Sequence, residues 1–152
     1  MKGAGSLMLD VSQRLPSKLY NMSFKFEKLI VWQKAMDFGE EIFALANKFH
    51  KAEQYNLVSQ MTRAADSVAL NISEGSILQS TPEFSRFLGY SIRSVAEVVT
   101  CLHKAQRRKY IAQEEFIKQY DEGYHLMNML IAFGITSSIQ HPASFHLFEA
   151  RK

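Results

Sequence analysis

Across residues 56–97 apolar side chains return every three or four positions, the period of an α-helix, and a polar line returns beside them at the same period. Leu57, Met61, Ala64, Val68 and Ile72 make the first apolar line, and Gln60, Arg63, Ser67, Asn71 and Glu74 flank it. After Ser80-Thr81-Pro82-Glu83 the apolar line resumes as Phe84, Leu88, Ser91, Val95, Val98, Leu102 and Ala105, with Glu83, Phe87, Tyr90, Ser94, Glu97, Cys101 and Lys104 at its side. A strand would alternate with period two, and a surface helix needs a single apolar stripe. Doubled stripes therefore restrict the chain to helices that meet neighbours on more than one side.

The same period organises the rest of the chain. Val31, Ala35, Phe38, Ile42, Leu45 and Phe49 predict a first helix over about 31–50, and Trp32, Met36 and Phe43 form a second apolar line along it. The second helix spans about 56–77. A hydroxyl cap, a first-turn proline and a returning glutamate at 80–83 open the third, which runs to about residue 108. Its basic end, Lys104, Arg107, Arg108 and Lys109, suits the negative pole of the helix dipole. The fourth, about 113–139, aligns Phe116, Tyr120, Met127, Ile131 and Gly134, with Leu126, Met129, Leu130 and Phe133 widening its arc, and His141-Pro142 ends it. The expected fold is all-α, an antiparallel up-down-up-down four-helix bundle over residues 22–140. Residues 1–21 are expected to be a disordered N-terminal tail and 141–152 a C-terminal tail carrying Phe145, Leu147 and Phe148.

Composition narrows the function classes. A chain of 152 residues with 47% hydrophobic and 22% charged residues is that of one soluble domain with its own core. Its one cysteine, Cys101, cannot form an internal disulfide, so a cytoplasmic location is expected. The longest apolar run, residues 126–135, is interrupted by Asn128 and Gly134 and falls short of the roughly 20 residues of a membrane span. Of the formal charge of +3, Lys2, Arg14 and Lys18 against Asp10 place +2 in residues 1–21, which leaves the body nearly neutral.

A turn near Leu78 or Gln79 sets Gln60 against Glu97 and Arg63 against Ser94, with Arg63 one turn from Glu97. If the polar strip is covered, Arg63 must pair with Glu97, with Ser67, Asn71 and Ser94 as hydrogen-bond partners, because an unpaired buried guanidinium costs several kcal/mol. If the strip faces water, Arg93 pairs with Glu97 at i, i+4. Phe87, Tyr90 and Cys101 share the strip and favour the covered arrangement.

These residues also carry a family resemblance. Phe24-Lys25-Phe26-Glu27-Lys28-Leu29-Ile30-Val31-Trp32-Gln33-Lys34-Ala35, Gln60, Arg63-Ala64-Ala65-Asp66-Ser67, Asn71-Ile72-Ser73-Glu74-Gly75 and Glu83-Phe84 through Glu97 resemble the four-helix-bundle proteins encoded by intervening sequences in bacterial 23S ribosomal RNA genes. Members are often labelled ribosomal proteins and are similar in fold to the accessory variability protein of diversity-generating retroelements. The resemblance implies a left-handed bundle, a ring-like homopentamer and a role in binding nucleic acid. It marks Arg63, Ser67, Asn71, Glu74, Ser94 and Glu97 as structure or assembly residues. Two departures from the family pattern stand out: Ser73 replaces an alanine, and uncharged Ser76 to Ser80 replace an arginine-rich stretch, which removes positive charge available to nucleic acid.

No catalytic constellation stands out. Glu122 and His125 have the Glu-x-x-His spacing of di-iron bundles but lack the second copy and further glutamates such a site needs. His103, His141 and His146 show no ligand spacing, and Cys101 reads as a small buried hydrophobe. No arginine is followed four to six residues later by histidine, as the helical ribonucleases of the HEPN type require. The expectation is a non-enzymatic homo-oligomer without cofactor or metal, assembled through the wide apolar faces of its first and fourth helices. RNA or DNA is the first partner to test, through Arg86, Arg93, Lys104, Arg107, Arg108 and Lys109. The alternative is a protein-interaction adaptor that binds no nucleic acid.

Overall fold

The structure, a computed structural model, describes residues 23–77 and 80–139; both expected tails lie outside the described residues. It contains four long helices, α1 (Ile30–Ala46), α2 (Ser59–Ser76), α3 (Thr81–Arg107) and α4 (Gln113–Ile139), and no strand among the described residues. A 3-10 turn, Lys25–Lys28, precedes α1. A second, Lys51–Glu53, and one π-helical turn, Gln54–Val58, lead into α2.

The helices pack in sequence order as an up-down-up-down bundle, and α1 and α4 close it over a narrower seam. One end is fixed by Gly75 of α2 against Phe84 and Phe87 of α3, and by the Phe84 ring edge-on to Phe133 of α4 at 5.6 Å. The core lines expected for α1, α2 and α3 are the observed ones: Ile42, Met61, Val68, Ile72, Ser91, Val95, Val98 and Leu102 are fully buried, and Phe84 packs at the core's edge. α1 stops four residues earlier than its periodicity suggests, because Lys48 and Phe49 donate to the carbonyls of Leu45 and Ala46, tightening the chain out of α geometry while Phe49 stays buried.

The two ends of α3 close differently. At its start the Ser80 hydroxyl accepts from the Glu83 amide at 3.5 Å, but the Glu83 carboxylate pairs with Arg86 at 2.7 Å instead of returning to Ser80, so half of the expected capping box forms. At its end Lys109 takes a left-handed conformation, φ 59°, with Tyr110 N–H donating to Ala105 O at 2.9 Å and Lys109 N–H to Gln106 O at 3.0 Å. That is a Schellman close with lysine where glycine is favoured. Lys109→Gly should therefore stabilise the fold by about 0.5–1 kcal/mol, read as a raised melting temperature.

α4 corrects the expected register. Its core line is Phe116, Gln119, Gly123, Leu126, Leu130 and Gly134, while Tyr120 is 41% exposed and Met127 and Ile131 are half-buried. Apolar counting missed this line because a glutamine and a glycine hold two of its central places. Gln119 is buried because its Nε2 donates to Glu41 Oε2 of α1 at 2.8 Å. Gly123 is buried because Phe38 of α1 and Val99 of α3 converge on it.

Candidate assembly and nucleic-acid surfaces

The polar strip between α2 and α3 has the expected register. Gln60 Nε2 donates to Glu97 Oε1 at 3.4 Å, and the buried Ser91 hydroxyl donates across the interface to Val68 O at 2.9 Å. The Arg63 to Glu97 pair is absent. Arg63 is exposed and makes no ion pair among the described residues, and Arg93 lies 5.9 Å over the Tyr90 ring instead of pairing with Glu97. The reason is local: Ser67 donates to Arg63 O (2.8 Å), Asn71 to Ser67 O (2.7 Å) and Ser94 to Tyr90 O (3.1 Å), so each satisfies its own helix four residues back. Arg63 instead stands exposed in an open polar cleft of about 340 Å³ with Tyr55, Asn56, Ser59, Gln60 and Glu97. Glu74 is exposed further along. Cys101 is 1% exposed, and burial pushes its thiol up, against the opposing influence of Lys104, as befits a packed small residue.

The six cations of the basic face are all exposed. Two of them are committed within the fold: Arg86 to Glu83 at 2.7 Å, and Arg108 to Glu53 at 3.3 Å. Arg93, Lys104, Arg107 and Lys109 make no ion pair among the described residues.

Glu53 is the joint between the α1–α2 and α3–α4 connections. Its carboxylate accepts from Tyr110 OH (2.9 Å), Asn56 Nδ2 (3.1 Å) and the Leu57 amide (3.4 Å) besides Arg108. The Tyr110 hydrogen bond, chiefly, holds Glu53 below the usual carboxylate range and raises the Tyr110 hydroxyl in turn. Glu41 and Glu115 are also held low. Burial raises Glu41, but hydrogen bonds from Lys118 and Gln119 outweigh it; for Glu115 the leading cause is its bond to Lys48. A carboxyl depressed in the folded state stabilises above its unfolded value and loses that contribution as pH falls through the folded one. Thermal stability should therefore drop as pH falls from about 4.5, the ordinary value for these groups. Glu53→Gln should melt lower than wild type at pH 7 and lose less on acidification, as followed by circular dichroism.

Two apolar faces remain outside the core. Between α1 and α2 runs an open groove of about 370 Å³, floored by Gly39, Ala65 and Ala69 and walled by Trp32, Met36 and Leu70. On α4 a second line, Ile117, Tyr120, Tyr124, Met127, Ile131 and Ile135, repeats the core spacing one residue later. Ile117 is 56%, Tyr124 57% and Ile135 48% exposed. Tyr120 stacks edge-on to His103 of α3 at 5.9 Å, which puts this line on the α3 side of α4. Sequence reading had merged the two α4 lines and so missed Ile117, Tyr124 and Ile135; the one-residue offset between two heptad-like repeats was the available signal.

Glu122 and His125 are exposed, with His125 Nδ1 2.8 Å from Asp121 O. Among the described residues no three His, Cys, Asp or Glu side chains gather as a metal site, and no helix is long and apolar enough to cross a membrane.

A four-helix bundle with a polar α2–α3 strip and surplus apolar faces defines a class of small helical proteins rather than a chemistry. The profile of the 23S rRNA-intervening sequence protein family matches residues 27–132, and the chain belongs to that family. It is similar to the crystal structure of a protein of unknown function from the S23 ribosomal protein family of Bacteroides thetaiotaomicron, with 25% identity over 69% of this chain and 98% of that one and a TM-score of 0.64. No curated protein matches the chain.

Proposed function

We propose that the chain is a non-enzymatic, homo-oligomeric scaffold, a pentamer as the family resemblance implies, that holds RNA or DNA on the outward face of α3. The observation that carries the reading is the second apolar line of α4: six residues at heptad-like spacing along one helix, four of them exposed large hydrophobics. Coiled-coil partners are recruited by such a seam, and lone bundles do not need one. The apolar line of α1, with Met36 and Phe43 exposed, adds to the surplus.

For nucleic acid the support lies in Arg93, Lys104 and Lys109, cations without an internal counter-ion among the described residues. Repetition around an assembly multiplies a weak patch through avidity. The purified protein should shift RNA or DNA at low salt. Affinity should fall with a log–log slope of about −0.7 to −0.9 per phosphate contacted, and Arg93→Glu with Lys104→Glu should abolish the shift without altering the melt. Absence of any low-salt shift, with a low 260 to 280 nm absorbance ratio, removes the nucleic-acid role. It leaves the adaptor reading, which the acidic, apolar α1–α2 groove favours.

A further inference from the structure

Where the two apolar faces lie decides how copies meet, given the oligomer proposed above. The groove opens between α1 and α2, and the α4 line opens on the α3 side. In a bundle whose helices run in sequence order around its axis, these are opposite sides. A two-fold contact pairs a face with itself and leaves the other face bare, whereas a head-to-tail contact pairs unlike faces and covers both.

Shape and charge match across such a contact. The groove is concave because glycine and alanine floor it: a Cβ on Gly39 would lie only 3.8 Å from the Ala65 carbonyl oxygen, so α1 and α2 run close together there. The α4 line presents Ile117 and Tyr124, each more than half exposed, with the Tyr120 ring between them braced by His103 and Phe116. Glu40 and Asp66 border the groove without an ion pair among the described residues, while Arg107, equally unpaired, shares the α3–α4 side with His103 and Tyr120.

We propose that Ile117, Tyr120 and Tyr124 of one copy seat in the α1–α2 groove of the next, over Gly39, Ala65 and Ala69.

Leu70→Glu spoils the groove and Tyr124→Glu spoils the α4 line; both positions are exposed, so neither change touches the core. Each variant alone should run as a folded monomer that melts below the assembled wild type. Mixed, they should form a one-to-one dimer and nothing larger, since one intact groove then meets one intact α4 line. The mixed pair should associate about 30-fold or more tightly than either variant with itself, the effect of losing one interface hot spot. Trp32, the chain's one tryptophan, lines the groove, and its emission should move to shorter wavelength on mixing. A mixture that stays monomeric while wild type assembles overturns the pairing, as does either variant keeping the wild-type mass. A monomeric wild type removes the oligomeric reading beneath it.

Discussion

Gly75→Ala lowers the melting temperature by roughly 5–10 °C, equivalent to about 2–3 kcal/mol of lost stability. A Cβ built on Gly75 would stand 2.6 Å from Phe87 Cβ and 2.8 Å from Phe84 Cδ2. The Phe84 ring can swing aside; Phe87 Cβ is tied to the α3 backbone, so α2 and α3 must separate at the end of the bundle where α3 begins. In an ordinary helix the same substitution would stabilise through propensity. Gly89→Ala supplies the control. It also sits in α3, but an added Cβ meets nothing within 4 Å there, and it should gain up to about 1 kcal/mol. The two changes are one methyl each and should move the melt in opposite directions. Equal melts for Gly75→Ala and wild type would show that the helices do not approach as described.

Phe38→Ala is expected to cost about 3–5 kcal/mol, because its buried ring reaches across the narrow α1–α4 seam to Gly123. Polar contacts also cross that seam: Lys48 to Glu115 at 3.1 Å, Lys118 to Glu41 at 2.9 Å and Gln119 to Glu41 at 2.8 Å. Phe38 Cζ comes within 3.4 Å of where a Gly123 Cβ would be, and Val99 Cγ2 within 3.3 Å. Gly123→Ala in the wild-type background should therefore be close to neutral, the crowding offsetting the propensity gain. In the Phe38→Ala background it should recover about 1 kcal/mol by refilling the vacated space. Independent, additive effects in this double-mutant cycle would refute the contact.

The fold was legible because the α1 and α2 core lines are unbroken apolar residues at helical spacing and that of α3 is interrupted by Ser91 alone, and the α2–α3 register followed from the turn, as Gln60 facing Glu97 confirms. α4 resisted because burial there depends on partners rather than on hydropathy. Gln119 enters the core through Glu41, Gly123 through the approach of Phe38, and two offset repeats overlap. Arg63 was misplaced for a related reason. Its expected partners, Ser67, Asn71 and Ser94, are short side chains that reach their own carbonyls first, a competition that spacing does not display. Gly75, the last residue of the Asn71 to Gly75 motif, gained its explanation only from the aromatic side chains laid against it.

The apolar surface left exposed on α1 and α4 calls for association, which light scattering on the full chain at micromolar concentration would read as mass. A defined multiple of the 17.4 kDa chain is expected, about 87 kDa for five copies. A folded, concentration-independent species of single-chain mass would contradict it.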